Sequence, residues 1–210
     1  MSCYSEYNFL ETGDILLCDY ENSSGPMGWF SWMIKSFTKS NYSHVAMVLR
    51  SPTFIDPSLT GLYVWESSYE GTPDPQDGRI KLGVQLTPIG HFIDFYKKNG
   101  YVVYRKLIGP REYFKLTTFI QIHDVVYNKP YDMAPRDWIN ALRRRDDTPQ
   151  KTSRFWCSAL IGYIYCKLGL IDSKVDWSIL RASDFSSESD GQPYSVTLTS
   201  PFSFGPETRL

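Results

Sequence analysis

The chain has 210 residues, of which 42% are hydrophobic and 21% are charged, and its formal net charge is -1. This length and composition suit a globular protein whose core needs no metal or disulfide support. The near-neutral charge, without a basic stripe, argues against nucleic acid as the main partner. No run approaches the roughly 18 apolar residues that a transmembrane segment needs. We expect one domain over residues 1–210, with a core at about 10–184 and a C-terminal tail at 185–210.

The cysteines and the first residues bear on the compartment. The four cysteines are widely spaced and form no CxxC pair, which argues against a disulfide framework and against a structural zinc site. Residues 1–11 contain neither a basic segment nor a long apolar segment, so we expect no classical secretion signal. A cytoplasmic or other reducing compartment is therefore expected, which for a viral protein means the host cytoplasm or the virion.

Short apolar segments bounded by turn residues predict the strands, and apolar residues at three- and four-residue spacing predict the helices. The predicted strands cover residues 15–18, 45–49, 62–66, 84–86 and 101–107. Helices are predicted at 27–38, 89–98, within 111–127, at 137–145 and from 153 onwards. This order favours an α+β fold in which an antiparallel sheet packs against helices.

Residues 27–38 carry large apolar side chains beside Lys35, including Trp29 and Phe37. We favour a helix that packs on the core through its wide apolar face. The alternative is a helix that contacts a membrane surface peripherally or binds an acyl chain, because large aromatic residues beside lysine suit an interface.

The segment 152–169 contains the strongest candidate for chemistry. Ser153 is a good helix N-cap, apolar residues then recur at helical spacing, and Gly169 supplies a left-handed stop, so the segment predicts one amphipathic helix. Cys157 then falls in the first turns, where unpaired amide N–H groups and the helix dipole stabilise a thiolate. The alternative is that Cys157 is a small buried hydrophobic residue.

A thiolate nucleophile needs a general base, which is most often histidine. Of the three histidines, His44 stands where a polar turn enters a strand, so its ring can project from the sheet edge towards a cleft. His91 and His123 fall in predicted helices and are expected at the surface or in the core. Glu66 ends the neighbouring predicted strand and reaches His44 if the two strands pair antiparallel. The alternative for Glu66 is a solvated charge at a strand end.

The chain contains five short motifs, which are, in this order, Thr12-Gly-Asp-Ile-Leu-Leu, Tyr42-Ser-His-Val-Ala-Met-Val, Trp65-Glu-Ser, Tyr127-Asn-Lys-Pro-Tyr-Asp and Phe155-Trp-Cys-Ser-Ala-Leu-Ile. In this order they resemble the permuted papain-like cysteine hydrolases of the YiiX type, within the NlpC/P60 superfamily. The similarity covers about residues 10–169, and in that family the histidine precedes the cysteine, the reverse of papain.

The resemblance implies a permuted papain-like fold with Cys157 as nucleophile, His44 as base and Glu66 as the polar third member. It also implies that Tyr131 lines the substrate pocket, with Tyr42 as a weaker candidate for the same wall. Such a triad would cleave an amide bond in a peptide-like or isopeptide-like substrate through a thioester.

Two alternatives stay open, a lipid thioesterase or acyltransferase with the same triad and a catalytically silent binding or structural module. We expect no cofactor. Zinc on the three triad residues is also not expected, because closely spaced ligand pairs are absent from the sequence. Residues 71–83 and 133–151 are long relative to the family and are expected to reshape the cleft.

Overall fold

The computed structural model describes residues 5–20, 41–133, 143, 151–189 and 191–210. The expected strands and the helix at 89–98 lie within three residues of the observed bounds, and the helices expected at 27–38 and 137–145 lie outside the described residues apart from Arg143. The strands are β1 (Ile15–Tyr20), β2 (His44–Arg50), β3 (Leu62–Ser68), β4 (Gly83–Pro88), β5 (Gly100–Ile108) and β6 (Ser203–Arg209), and the helices are α1 (Ile89–Asn99), α2 (Leu116–Val126) and α3 (Cys157–Lys167).

The six strands form one sheet in the order β4-β3-β2-β1-β5-β6, and every neighbouring pair is antiparallel. Successive residues point to opposite faces of a sheet. Leu17 and Met47 therefore join the core under α2 and α3, whereas Cys18 and Val48 join a second core under α1. The expected α+β arrangement, an antiparallel sheet packed against helices, is confirmed. Among the described residues, no helix has the length and apolar character needed to cross a bilayer.

Helix α3 begins at Cys157, so the N-cap expected at Ser153 is wrong. Trp156 takes the N-cap position in an extended conformation and makes no side-chain cap. The helix cannot start earlier because Phe155 is held in a parallel bridge to Tyr131. Cys157 is consequently the first helical residue, where the unpaired amides of the N-terminus are concentrated.

The same helix is buried on all sides rather than amphipathic, since every residue from Cys157 to Tyr165 is buried. The 3₁₀ turn Trp177–Ile179 and Leu180 cover the side that the sequence pattern leaves for solvent. Gly162 permits this approach, because a Cβ there would lie 2.6 Å from Leu180 Cδ1 and 2.9 Å from Trp177 Cβ. Tight packing on all sides fixes the position of α3.

The C-terminal segment expected as a tail contributes β6, which pairs with β5. Its sequence, Ser-Phe-Gly-Pro-Glu-Thr-Arg, contains glycine and proline and lacks a clear alternation, so its pattern did not predict a strand. The segment has little intrinsic preference for a strand, and the backbone hydrogen bonds to β5 hold it in the extended conformation. Proline is tolerated there because β6 lies at the edge of the sheet.

Candidate active site

His44 and Glu66 meet on the face of the sheet covered by α1. The register Met47↔Trp65 places Ala46 opposite Glu66, and His44 lies two residues before Ala46 on the same face. The ring atom His44 Nε2 is 2.8 Å from Glu66 Oε2, and both side chains are buried. The antiparallel pairing expected from the sequence therefore brings these two residues together.

The second oxygen of the Glu66 carboxylate is also bound. Thr87 Oγ1 on the neighbouring strand β4 donates a hydrogen bond to Glu66 Oε1. With one oxygen on His44 and the other on Thr87, the carboxylate has a defined orientation. A buried carboxylate bonded at both oxygens also avoids the desolvation cost that an unpaired one would carry.

Cys157 reaches the same place from the N-terminus of α3. Its sulfur is hydrogen-bonded to the His44 ring and accepts hydrogen bonds from the backbone N–H groups of Val45 and Ser158. Because Glu66 occupies Nε2, the ring nitrogen left for the sulfur is Nδ1. The imidazole thus lies between a carboxylate and a thiol, as an acid–base relay requires.

The electrostatics of this pair favour the proton on the imidazole. Burial alone lowers the pKa of His44, but hydrogen bonds and opposite charge from Cys157 and Glu66 raise it to about 10. Burial raises the pKa of the Cys157 thiol, but the His44 hydrogen bond and charge, with two backbone N–H groups, bring it below its ordinary value. Both shifts move the pair towards a thiolate and an imidazolium.

Tyr131 lies against the same sulfur. Its hydroxyl group bonds the side chain of Cys157 and accepts a hydrogen bond from the Cys157 backbone N–H. Two backbone bonds position it, one from its own N–H to Leu82 O at 3.1 Å and one between Phe155 N–H and Pro130 O at 3.1 Å. The tyrosine expected in the pocket thus contacts Cys157.

Tyr42 is buried at the β5–β6 side of the sheet. Its hydroxyl donates to Glu207 Oε2 at 2.6 Å, and its ring meets that of Tyr101 edge-on. This hydroxyl bond ties the segment before β2 to β6. The expectation that Tyr42 lines the substrate pocket stays a prediction.

The two other histidines have different surroundings. His91 is exposed on α1. His123 lies on α2, where its Nε2 is 2.7 Å from Gln76 Oε1 in the segment expected as an insertion at 71–83. These positions agree with surface and core roles. The second expected insertion, at 133–151, lies mostly outside the described residues.

Sequence reasoning missed three residues that surround the His44–Glu66 pair. Thr87 binds Glu66, Tyr96 on α1 stacks on the His44 ring, and the Tyr96 hydroxyl donates to Glu70. No local pattern marks them, because each depends on how β4 and α1 dock on β2 and β3.

Comparison with known proteins finds similarity to solved structures. No family model matches this chain, and no curated protein matches it. The fold is similar to a crystal structure described as the metalloprotein yiiX from Escherichia coli O157:H7, with 17% sequence identity and a TM-score of 0.50. The similarity covers 95% of this chain and 98% of that one.

At this level of identity the similarity supports the fold alone. The six-stranded antiparallel sheet with its packed helices is consistent with the papain-like fold that the sequence motifs imply. It makes a hydrolase-like fold plausible for this chain and leaves activity to be argued from the residues.

Proposed function

We propose that the chain is a cysteine hydrolase with a permuted papain-like fold, which cleaves an amide bond through a thioester on Cys157. In this proposal Cys157 is the nucleophile, His44 the general acid and base, and Glu66 the group that orients the imidazole. The supporting observation is that the His44 ring is bonded to Glu66 on one side and to Cys157 on the other.

Acylation begins with the thiolate–imidazolium pair. The Cys157 sulfur attacks the carbonyl carbon, and the carbonyl π electrons move onto oxygen to give a tetrahedral oxyanion. The imidazolium of His44 then donates its proton to the leaving nitrogen as the C–N bond breaks. The amine departs and an acyl thioester remains on Cys157.

In the hydrolysis of the thioester, His44 acts as a base, the reverse of its part as an acid in acylation. The neutral imidazole takes a proton from water, and the resulting hydroxide attacks the thioester carbonyl. Collapse of the second tetrahedral intermediate breaks the C–S bond and releases a carboxylic acid, which restores the thiolate and the imidazolium. Glu66 keeps Nδ1 directed at the sulfur during both halves by holding Nε2.

The oxyanion has two candidate donors. The backbone N–H of Cys157 is bound to the Tyr131 hydroxyl in the resting site. A substrate oxygen that displaces this contact would receive the Cys157 N–H and the Tyr131 O–H together. Donors aimed at a developing oxyanion supply a large share of catalysis in acyl transfer.

A metal is not part of the proposal. The crystal structure of similar fold is described as a metalloprotein. The described residues of this chain contain no group of three or more His, Cys, Asp or Glu side chains arranged to hold a metal ion. The expectation of a metal-free mechanism stays a prediction, and no step above depends on a metal.

The nature of the acyl group is open to a direct test with two covalent probes. A peptidyl acyloxymethyl ketone reports amide-directed reactivity, and an alkyne-tagged palmitoyl thioester reports acyl transfer from a lipid. Cys166→Ala is the matched control, because Cys166 lies in the same helix, is partly exposed, and its thiol pKa is raised by burial to about 11.

We expect the peptidyl probe to label the wild-type protein and Cys166→Ala, and not Cys157→Ala or His44→Ala. If only the thioester probe labels Cys157, the chain is a lipid thioesterase or acyltransferase with the same three residues, and not an amidase. If neither probe labels Cys157, and iodoacetamide reacts with it no faster than with Cys166, the chain is a silent binding module and the proposal is wrong.

A further inference from the structure

Helix α1 presents an aromatic surface to the His44 imidazole. The Tyr96 ring is stacked on it, with ring centroids 5.5 Å apart and planes 7° apart. Phe92, one turn earlier, approaches the same ring with centroids 6.0 Å apart. Both aromatic side chains are buried. Stacking on one face limits tilting of the imidazole out of the plane that contains its two hydrogen bonds.

The Tyr96 ring is itself held by a buried polar chain. Its hydroxyl donates to Glu70 Oε1 at 3.3 Å, and Ser68 Oγ donates to the same oxygen at 3.1 Å. Ser68 Oγ in turn accepts a hydrogen bond from Gln85 Nε2 at 3.3 Å. Glu70 is 8% exposed. The chain links the strand pair β3–β4 to the helix that covers His44.

We infer that Tyr96 and Glu70 form a positioning pair for His44, in which Glu70 holds the Tyr96 ring flat against the imidazole that bonds Glu66 and Cys157. This inference rests on the proposed function. Tyr96 acts through His44 and is a positioning residue, not a catalytic one. Glu70 is one step further away, because its contact is with the Tyr96 hydroxyl.

The charge state of Glu70 matters because it lies among other ionisable groups. Glu66 on β3, His44 on β2, Cys18 on β1 and Tyr96 on α1 all interact with it electrostatically. Burial, and next the charge of Glu66, raise the pKa of Glu70 to about 8. The charge of His44 and the hydrogen bonds from Ser68 and Tyr96 oppose this rise. Glu70 is therefore mostly neutral at pH 7 and does not compete with Glu66 for the imidazolium.

A neutral Glu70 also fits its hydrogen bonding. Glu70 Oε2 and Gln85 Oε1 are both buried and have no hydrogen-bond partner in the part of the chain that the structure describes. A proton on the carboxyl group removes the larger cost of a buried, unbonded carboxylate oxygen. Glutamine, a neutral isostere, is therefore expected to replace Glu70 with little loss, whereas alanine removes the acceptor for Tyr96.

The pH dependence of Cys157 alkylation by iodoacetamide tests this pair, with the modified peptide quantified by mass spectrometry. The variants are Tyr96→Leu, Tyr96→Phe, Glu70→Ala and Glu70→Gln, with His44→Ala as the reference for a lost base. Tyr165→Phe is the matched control, since Tyr165 is a buried tyrosine on α3 whose hydroxyl donates to Gly13 O at 2.6 Å.

We expect the acid limb of the profile to move to higher pH in Tyr96→Leu and Glu70→Ala, so that the rate at pH 6 falls about three- to tenfold. Tyr96→Phe should show a smaller shift in the same direction. Glu70→Gln should stay within about twofold of the wild type, and Tyr165→Phe should be unchanged. A merely structural role would lower thermal stability without moving this limb.

Three results would overturn the inference. In the first, the acid limb stays in place in both Glu70→Ala and Tyr96→Phe while His44→Ala moves it. In the second, Glu70→Gln shifts the limb as Glu70→Ala does, and in the third, Tyr165→Phe moves the limb as far as Glu70→Ala. Glu70→Ala and Tyr96→Phe decide the matter if Tyr96→Leu does not fold. A limb that His44→Ala leaves unchanged would instead contradict the proposed function.

Discussion

Ser67 Oγ donates a hydrogen bond of 2.7 Å to the carbonyl oxygen of Phe155, which lies 88 positions further along the chain. Ser67 follows Glu66 in β3, and Phe155 lies two residues before Cys157. This one bond therefore ties the strand that carries Glu66 to the segment that leads into α3. Both residues are fully buried, so the bond is shielded from competing water.

Ser67→Ala should weaken this link. We expect a loss of about 1 kcal/mol in the free energy of unfolding, because Phe155 O keeps a second donor, the Asp132 N–H at 3.2 Å. The alkylation rate of Cys157 at pH 7 should fall as well. Ser186→Ala is the control, since Ser186 Oγ also donates to a carbonyl, that of Ser183, at 2.7 Å. Equal loss of alkylation rate in both variants would mean that only general stability is involved.

The pKa of the Cys157 thiol should lie below that of an ordinary thiol, and this lowering should depend on His44. The thiolate absorbs near 240 nm, so a pH titration of the wild type minus Cys157→Ser reports its pKa. His44→Ala removes the hydrogen bond and the charge that oppose burial, so the thiol pKa should move above its ordinary value. A His44→Ala protein that titrates like the wild type would contradict the ion pair.

Glu66→Gln should lower the pKa of His44. The carboxylate and its charge help to hold that pKa at about 10, and an amide at the same position keeps a hydrogen bond without the charge. We expect a decrease of about one pH unit or more, equivalent to about 1.4 kcal/mol, in an NMR titration of the His44 ring. Glu112→Gln, at an exposed acid, should leave the value unchanged.

Tyr131→Phe should slow acylation more than it slows alkylation. Alkylation by iodoacetamide forms no oxyanion, whereas the burst of 4-nitrophenolate from 4-nitrophenyl acetate does. If the Tyr131 hydroxyl is an oxyanion donor, the burst rate constant should fall about 10- to 100-fold. An unchanged burst rate constant would mean that the Tyr131 hydroxyl is not an oxyanion donor. Its role would then be limited to the contact with Cys157 in the resting site.

Glu70 should make the protein less stable as the pH rises. Its pKa is about 8 in the folded chain against 4.5 for the ordinary group, so the folded state binds the proton more tightly. The free energy of unfolding should then decrease as the pH rises from 4.5 to about 8, and stay level above that pH. Urea unfolding of Glu70→Gln should lack this contribution, and an identical slope in both proteins would contradict the raised pKa.

Much of the fold was readable from local pattern. The strands around Val45, Val64 and Val103 are runs of β-branched and aromatic residues bounded by turn residues, and Gly169 takes the expected left-handed conformation with φ of 72°. The proposed His44, Glu66 and Cys157 triad was also reached from residue type, position and motif order. The strands and the Gly169 stop depend on residues that are close together in the sequence.

Other features depended on distant contacts. The start of α3 is set by the Phe155–Tyr131 bridge, and β6 forms because it pairs with β5 at the edge of the sheet. Tyr96 reaches His44 only once α1 has docked on the sheet. No local signal encodes these contacts, because strand register and helix docking are decided by the packing of whole faces.

The sequence by itself therefore determined the fold class, the positions of five of the six strands and the candidates for nucleophile, base and orienting acid, since each follows from short-range periodicity, residue chemistry and motif order. Only the tertiary structure decided that the His44 ring is bonded at both nitrogens and stacked on Tyr96. The physical reason is that the pKa of a buried group depends on its neighbours within a few ångströms, and folding brings the neighbours of His44 from three other segments of the chain, β3, α1 and α3.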